Sequence, residues 1–471
     1  MSAAQRPWDG ANSLTSWHLQ TRDHRHSRAA EVDRRRLLGL KAELVCALVK
    51  ADTTSAMRLP IFFFVSAVAT VGLVISPSAQ QPAPVRAFTG ARLIDGTDRA
   101  PITNATIVVR DGRVVAVGPA ATVTVPAGAE PIALTGKTVI PGLINAHGHV
   151  NVPDRDLKTY AAYGVTTVFS LGGEVAPHFA ARESQNTAAL NRARIFVAGP
   201  VLAPNTPAEA RQQVAEAHEL KVDTIKIRVD DNLGTTPKMP PDVYRAVIDE
   251  AHKRGLRVAV HIFYLADAKG VLDAGADFIA HSVRDAAISP EVIGLLKSRG
   301  ICLCPTLMRE VSTFVYESTP AFFSDPLFLA HADMTQVNQL KQPAAQAAMK
   351  QSATAQRYKA ALDVASRNLK TLSDAGVTIA MGTDTGPAAR FQGYFELEEL
   401  ELMAKAGLSP RQVLMAATRD AARCWKVDKD LGTVEPGKWA DFVVLDADPL
   451  ANLANTKRIN AVYIAGNRVP R

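Results

Sequence analysis

From residue 139 to residue 384, short apolar runs alternate with longer stretches in which apolar positions recur every three or four residues. The short runs are Val139–His149, Val165–Leu171, Arg194–Ala198, Thr224–Val229, Arg257–Ile262, Phe278–Val283, Ile301–Thr306 and Thr378–Asp384. Each has strand length, and stretches such as PDVYRAVIDEAHKRG and SPEVIGLLKSRG between them have helical periodicity. Gly255, Gly300 and Gly376 stand where those helices need a terminator. Eight strands alternating with helices predict an α/β fold of the closed (β/α)₈ TIM-barrel type. An open doubly wound sheet is the alternative, but no glycine-rich phosphate loop follows any of the runs. One connection is long: Pro305 to Leu372 holds an aromatic-rich segment, MREVSTFVYESTPAFFSDPLF, then an Ala- and Gln-rich helix around Gln342–Leu362. Such an insertion either covers the mouth of a barrel or decorates its surface.

The flanks have a different texture. Residues 85–137 and 431–471 read as short strands joined by tight turns, with Asp-Gly at Asp95-Gly96 and Asp111-Gly112. Two β-rich ends around a long middle predict a small β-sandwich domain built from both termini, with the barrel at 138–430. Pro141-Gly142 interrupts the first run between the two.

Before residue 85 the pattern changes again. Residues 1–56 carry scattered arginines and no strong apolar period, and read as an N-terminal extension that is not native. At Met57 begins a segment with Arg58 as a positive start, an apolar stretch from Leu59 to Ile75, and small residues Ser76 and Ser78. Residues 57–79 are therefore expected to be a secretory signal peptide. The mature protein would then be periplasmic or secreted, without stable membrane association. An uncleaved membrane anchor is the competing reading, since 17 apolar residues are marginal for a span.

Charge changes the picture only by exclusion. The net charge of +7 divides into a surplus of four within the first sixty residues and three over the rest, so the body has no electrostatic reason to bind nucleic acid. The four cysteines, Cys46, Cys302, Cys304 and Cys424, lack the paired spacing of a structural zinc site. Cys302 and Cys304, two apart on a strand, are poorly placed to bridge each other. Buried free thiols are the expectation.

Chemistry concentrates at the strand ends. His147 and His149 share one side of the first strand. Lys226 lies between isoleucines in the fourth, His261 ends the fifth, His281 the sixth and Asp384 the eighth. Singly, each reads as a core histidine, a snorkelling lysine or a turn aspartate. Together on one rim, four imidazoles, an amine and a carboxylate are costly to bury unless they bind something, and they suit Zn²⁺ or a similar divalent ion.

This order of ligands, with PGLINAHGH, IKI, VAVH, AGADFIAHS, MGTDTG, AATRDAA and LGTVEPGKWADFVVLDADP around it, resembles the amidohydrolase superfamily. The likeness is to its imidazolonepropionase-like branch, which includes Xaa-Pro dipeptidases, and it covers roughly residues 86 to 471. The resemblance implies a (β/α)₈ barrel with two divalent metals. His147, His149 and Asp384 would hold the buried one, and His261 and His281 the exposed one. A CO₂-derived carbamate on Lys226 would bridge them. It further implies hydrolysis of an amide C–N bond by a metal-bridging hydroxide, with Asp384 moving the proton from water to the leaving nitrogen.

Arg228, Tyr264 and Arg390 are candidate substrate contacts, and Phe263 stands where many relatives carry a second histidine. The substrate is expected to be a small amide. An Xaa-Pro or related dipeptide competes with a cyclic amide, and a homo-oligomer is left open. A mononuclear deaminase fits less well, because such relatives lack the lysine that Lys226 supplies. A non-catalytic binding barrel is the reading from another class.

Overall fold

The computed structural model describes residues 85–470 of the 471; the readings of residues 1–56 and 57–79, and Cys46, lie outside them. The first strands are β1 (Arg86–Leu93), β2 (Ile102–Arg110), β3 (Arg113–Pro119), β4 (Glu130–Ala133) and β5 (Thr138–Pro141). Asp111 and Gly112 join β2 to β3 with φ of 52° and 75°, the left-handed pair that a two-residue hairpin requires. The parallel strands of the middle are β6 (Leu143–Gly148), β7 (Val165–Ser170), β8 (Arg194–Val197), β9 (Val201–Leu202), β10 (Ile225–Arg228), β11 (Val258–His261), β12 (Phe278–Ala280) and β13 (Cys302–Cys304). The chain closes with β14 (Phe442–Leu445), β15 (Ile459–Ile464) and β16 (Asn467–Arg468).

The ladders of the two ends join them in one mixed sheet ordered β16-β15-β14-β5-β1-β2-β3, with β4 also on β1, where the sequence predicted a sandwich. Alternation divides the residues of β14 between two cores. Phe442 and Val444 enter a small core with Phe88 and Tyr463, whose rings meet at 4.8–5.1 Å. Val443 and Leu445 face the other way, into the main core. A buried ion pair, Arg194 Nε to Asp441 Oδ2 at 2.8 Å, ties β8 to the end-built sheet.

The run Val139–His149 divides, as its Pro-Gly break suggested. β5 pairs with β14 and β1, while β6 pairs with β7. At the break, a Cβ on Gly142 would fall 2.1 Å from Thr166 Oγ1, so no larger residue fits.

The parallel ladders form two groups, β6-β7-β8 and β13-β12-β11-β10-β9. The eighth run, Thr378–Asp384, is not a strand along its length, but it bonds to both groups. Leu303 N–H donates to Thr378 and Ala380 N–H to Leu303 on one side; Ala146 N–H donates to Met381 and Thr383 N–H to His147 on the other, at 2.8–3.1 Å. Gly255, Gly300 and Gly376 all carry positive φ at helix ends, as the pattern predicted. The insertion folds into short helices and a 22-residue helix, Ala353–Asp374. Ser352 caps that helix and separates it from Pro343–Gln351. No helix of the described residues is long and apolar enough to cross a membrane.

The cysteine expectation needs correcting. Cys302 and Cys424 form a disulfide, with Cα atoms 5.9 Å apart across 122 residues; Cys304 is free and buried. Local spacing rightly excluded a Cys302–Cys304 bridge but had no view of a partner brought back by the helix Arg419–Cys424. The residue after that partner, Trp425, is buried among rings borne by the parallel strands. It stacks on Phe169 at 4.5 Å and meets Phe278 at 4.5 Å, and its Nε1–H donates to the Ala146 carbonyl at 3.1 Å.

Candidate metal centre

β6 places His147 and His149 on one side, and the eighth segment delivers Asp384 opposite them. Asp384 Oδ1 lies 3.3 Å from His147 Nε2 and 2.9 Å from His149 Nε2. One ligand atom from each of the three lies within 4.8 Å of the others, a spacing that fits one metal ion. The His149 ring is oriented from behind: its Nδ1–H donates to the Gly172 carbonyl at 3.1 Å, leaving the Nε2 lone pair facing the site. Lys226 Nζ, from β10, sits 3.3 Å from His147 Nε2.

The other two imidazoles complete the cluster. His281 packs against His147 and His261, with ring centroids at 4.8 and 4.1 Å, and its Nδ1 bonds Thr306 Oγ1 at 2.7 Å. His261 Nε2 lies 2.8 Å from Asp230 Oδ2, off the line of a hydrogen bond. His281 Nε2 and His261 Nε2 are buried without a hydrogen-bond partner, while His147 turns its Nε2 toward Asp384 and Lys226. Buried nitrogens left unbonded are expensive unless a ligand engages them, so this donor set fits divalent cations. Backbone strain points the same way: His281, Thr306 and Asp384 have φ of 72°, 48° and 57°, a region that side chains other than glycine avoid and that clusters at functional sites.

The electrostatics suit ligation. Burial holds the pKa of His147 and His281 well below the ordinary imidazole value and that of His261 at about 3, so all three are neutral donors near pH 7. Burial also brings Lys226 down to about 8. For Asp384 burial pushes upward, but its neighbours, the Arg390 guanidinium first among them, hold the carboxyl well below the usual carboxylate range.

The substrate candidates separate. Arg390 Nη1 reaches Asp384 Oδ2 at 2.5 Å. Arg228, in register with His261, bonds Asp230 Oδ1 at 2.9 Å. Tyr264 bonds Asp231 Oδ1 at 2.8 Å under the Lys238 ammonium, which ties it to the rim rather than to the imidazoles.

Several residues were missed. Asp230 had a signal, a carboxylate just past the end of the strand that carries Lys226. Arg309 had none. Supplied by the insertion, it is buried, bonded to Glu310 and stacked on Tyr358, with Nε 3.7 Å from Asp384 Oδ2. Glu396 was equally silent. Its Oε1 accepts from Asn145 Nδ2 at 2.6 Å and from the Thr383 and Thr385 hydroxyls at 2.6 and 2.5 Å, while Asn145 Oδ1 accepts from His147 N–H. One carboxylate thus locks the HxH strand to the segment bearing Asp384.

A model of the amidohydrolase family matches residues 138–469. The imidazolonepropionase of Geobacillus kaustophilus (strain HTA426) is 28% identical over 389 residues, covering 74% of this chain and 85% of its own. That of Rhodococcus jostii (strain RHA1) is 24% identical over 365 residues, covering 74% and 83%. A Bifidobacterium longum structure provisionally named a prolidase superposes with a TM-score of 0.69 at 27% identity, over 83% of this chain and 95% of its own. A Xaa-Pro dipeptidase with methionine in its active site gives a TM-score of 0.66 at 20% identity, over 82% of this chain and all of its own, a likeness of fold. The two ladder groups and the eighth segment are thus a TIM-barrel type α/β fold. With the family model spanning most of the described residues and its ligand-type side chains gathered on one rim, the chain belongs to the amidohydrolase family, hydrolases of carbon–nitrogen bonds.

Proposed function

We propose that the protein is a binuclear metal hydrolase that cleaves a linear amide whose amine half is an amino acid, a dipeptide or an N-acyl amino acid. The observation that carries this is the convergence of His147, His149, Lys226, His261, His281 and Asp384, with imidazole nitrogens buried and unbonded. His147, His149 and Asp384 would hold one ion, and His261 and His281 the other; zinc suits the set. Bound there, a divalent pair would supply an acidified water and polarise the amide carbonyl.

The chain's own groups do the rest. Lys226 can lose its proton near neutrality, and the free amine can add to CO₂ with loss of a second proton, giving an anion able to span two cations. Asp384 takes a proton from the attacking water and returns it to the leaving nitrogen. Arg390 holds the far oxygen of that carboxylate, so the near one keeps facing His147 and His149.

Lys226 disfavours a mononuclear deaminase, and the unbonded imidazoles disfavour a binding barrel. Cyclic amides are the second reading, supported by the imidazolonepropionase relatives. We also take the protein to be periplasmic or secreted. The signal-like segment supports this, as does the disulfide, which persists in oxidising compartments. The test is metal analysis of purified protein followed by screening of zinc-loaded enzyme against dipeptides, N-acyl amino acids and lactams. About two equivalents of metal with dipeptide or N-acyl turnover is expected; a metal-free, inactive protein, or turnover of lactams alone, would refute the reading.

A further inference from the structure

The helix Tyr394–Lys405 carries two glutamates three residues apart, Glu396 and Glu399, and both are fully buried. Residues at that spacing are neighbours on one helix face. An interior carboxylate is costly and persists where its oxygens are taken up. Glu396 uses one oxygen to join the HxH strand to the Asp384 segment, through Asn145, Thr383 and Thr385. Glu399 turns to the start of the insertion. Its Oε1 accepts from Leu307 N–H at 2.8 Å and its Oε2 from Met308 N–H at 2.6 Å.

Those two amides need an outside acceptor. They open the helix Leu307–Ser312, whose first N–H groups have none within the helix, and both residues are buried away from water. The chain enters that helix through Thr306, at φ 48° and ψ 48°. A β-branched side chain avoids these left-handed values, so the turn persists only where its surroundings dictate it.

Two groups of the metal centre depend on this turn. Thr306 Oγ1 lies 2.7 Å from His281 Nδ1. With the ring proton on Nδ1, the lone pair sits on Nε2, the buried nitrogen without a hydrogen-bond partner. Arg309 N–H donates to the Thr306 carbonyl at 3.1 Å, and its guanidinium comes within 3.7 Å of Asp384 Oδ2.

We infer that Glu399 is a positioning residue for the second metal ion: by fixing the turn at Thr306 it fixes the His281 ring and the reach of Arg309. The inference rests on the proposed binuclear reading and adds to it a residue that touches neither ion nor substrate. Two acids on one helix face then set the two halves of the centre separately, Glu396 the ligands of the first ion and Glu399 a ligand of the second.

The test is zinc titration of metal-free protein with metal analysis, for wild type, Glu399→Gln, Thr306→Val and Thr306→Ser, with a melting temperature for each. Glutamine keeps the side-chain shape but sets an NH₂ group against one of the two backbone donors. Valine keeps the shape of threonine and removes the hydroxyl. Wild type should hold about two equivalents. Glu399→Gln and Thr306→Val should each weaken the second by about 10–100-fold, the usual effect of losing an outer partner of a metal-bound histidine. The first equivalent should stay, and Thr306→Ser should recover the second. Two tight equivalents in Glu399→Gln overturn the inference. So does equal weakening of both, which a general loss of stability would produce. If Glu399→Gln fails to fold, two tight equivalents in Thr306→Val overturn it instead. Fewer than two ions in wild type would remove the binuclear reading itself, and the inference with it.

Discussion

The rim of the barrel and the interior beneath it are built from the same strands yet obey opposite rules. At the rim, imidazole nitrogens are buried without partners, three residues are forced to positive φ, and several charges crowd one carboxylate. Beneath it, Phe169 stacks between Phe196 and Trp425 at 4.6 and 4.5 Å, the indole N–H is satisfied, and a disulfide fastens the neighbouring helix to β13. The contrast separates groups held for chemistry, which cost stability, from groups held for packing, which supply it.

That division can be broken by substitution, and the largest effect belongs to the rim. Asp384→Asn should lower kcat by about 10²–10⁴-fold while the melting temperature changes little; near-wild-type turnover would remove Asp384 from the proton path. Trp425→Ala should do the reverse, costing about 3–5 kcal/mol of unfolding free energy in denaturant titrations while the surviving folded protein keeps its metal affinity. A weaker stability loss, about 2–4 kcal/mol, is expected on reducing Cys302–Cys424 or in Cys424→Ser. Equal effects on kcat and stability from any of these would merge the two regions.

Acid sharpens the same comparison more gently. His261 has a folded pKa of about 3 against an ordinary 6.5, and His147 and His281 are likewise depressed. Between those values the unfolded chain binds more protons. Metal-free protein should therefore lose stability as pH falls below about 6.5, by at most roughly 1.4 kcal/mol per pH unit per group. Urea titrations in chelator at pH 7 and pH 5 measure it; no difference would mean that the imidazoles are hydrated.

How much of this was legible follows from range. Strand and helix periods are local, so the β/α alternation, the Pro141-Gly142 break and the glycine caps were readable. The six ligand-type residues that the proposal uses were singled out from local pattern, five by their place at strand ends and Lys226 by its place between isoleucines. Cys424, Arg309 and Glu396 were not, since each acts on a partner that only the tertiary fold brings near. Arg390 sits between: its loop position suggested the rim, while its bond to Asp384 needed coordinates.

The β5–β14 ladder has a consequence for how the chain is made. Pro141 pairs with Phe442, so the strand feeding directly into His147 has no partner on that side until Phe442 has been made. Asp384 likewise follows His147 by most of the barrel. The centre cannot close on a partial chain, and contacts of such long sequence range form late and slowly. A chain that stops short of Asp384 thus carries half a binding site, and a metal ion arriving early finds too few ligands to be trapped in the wrong place.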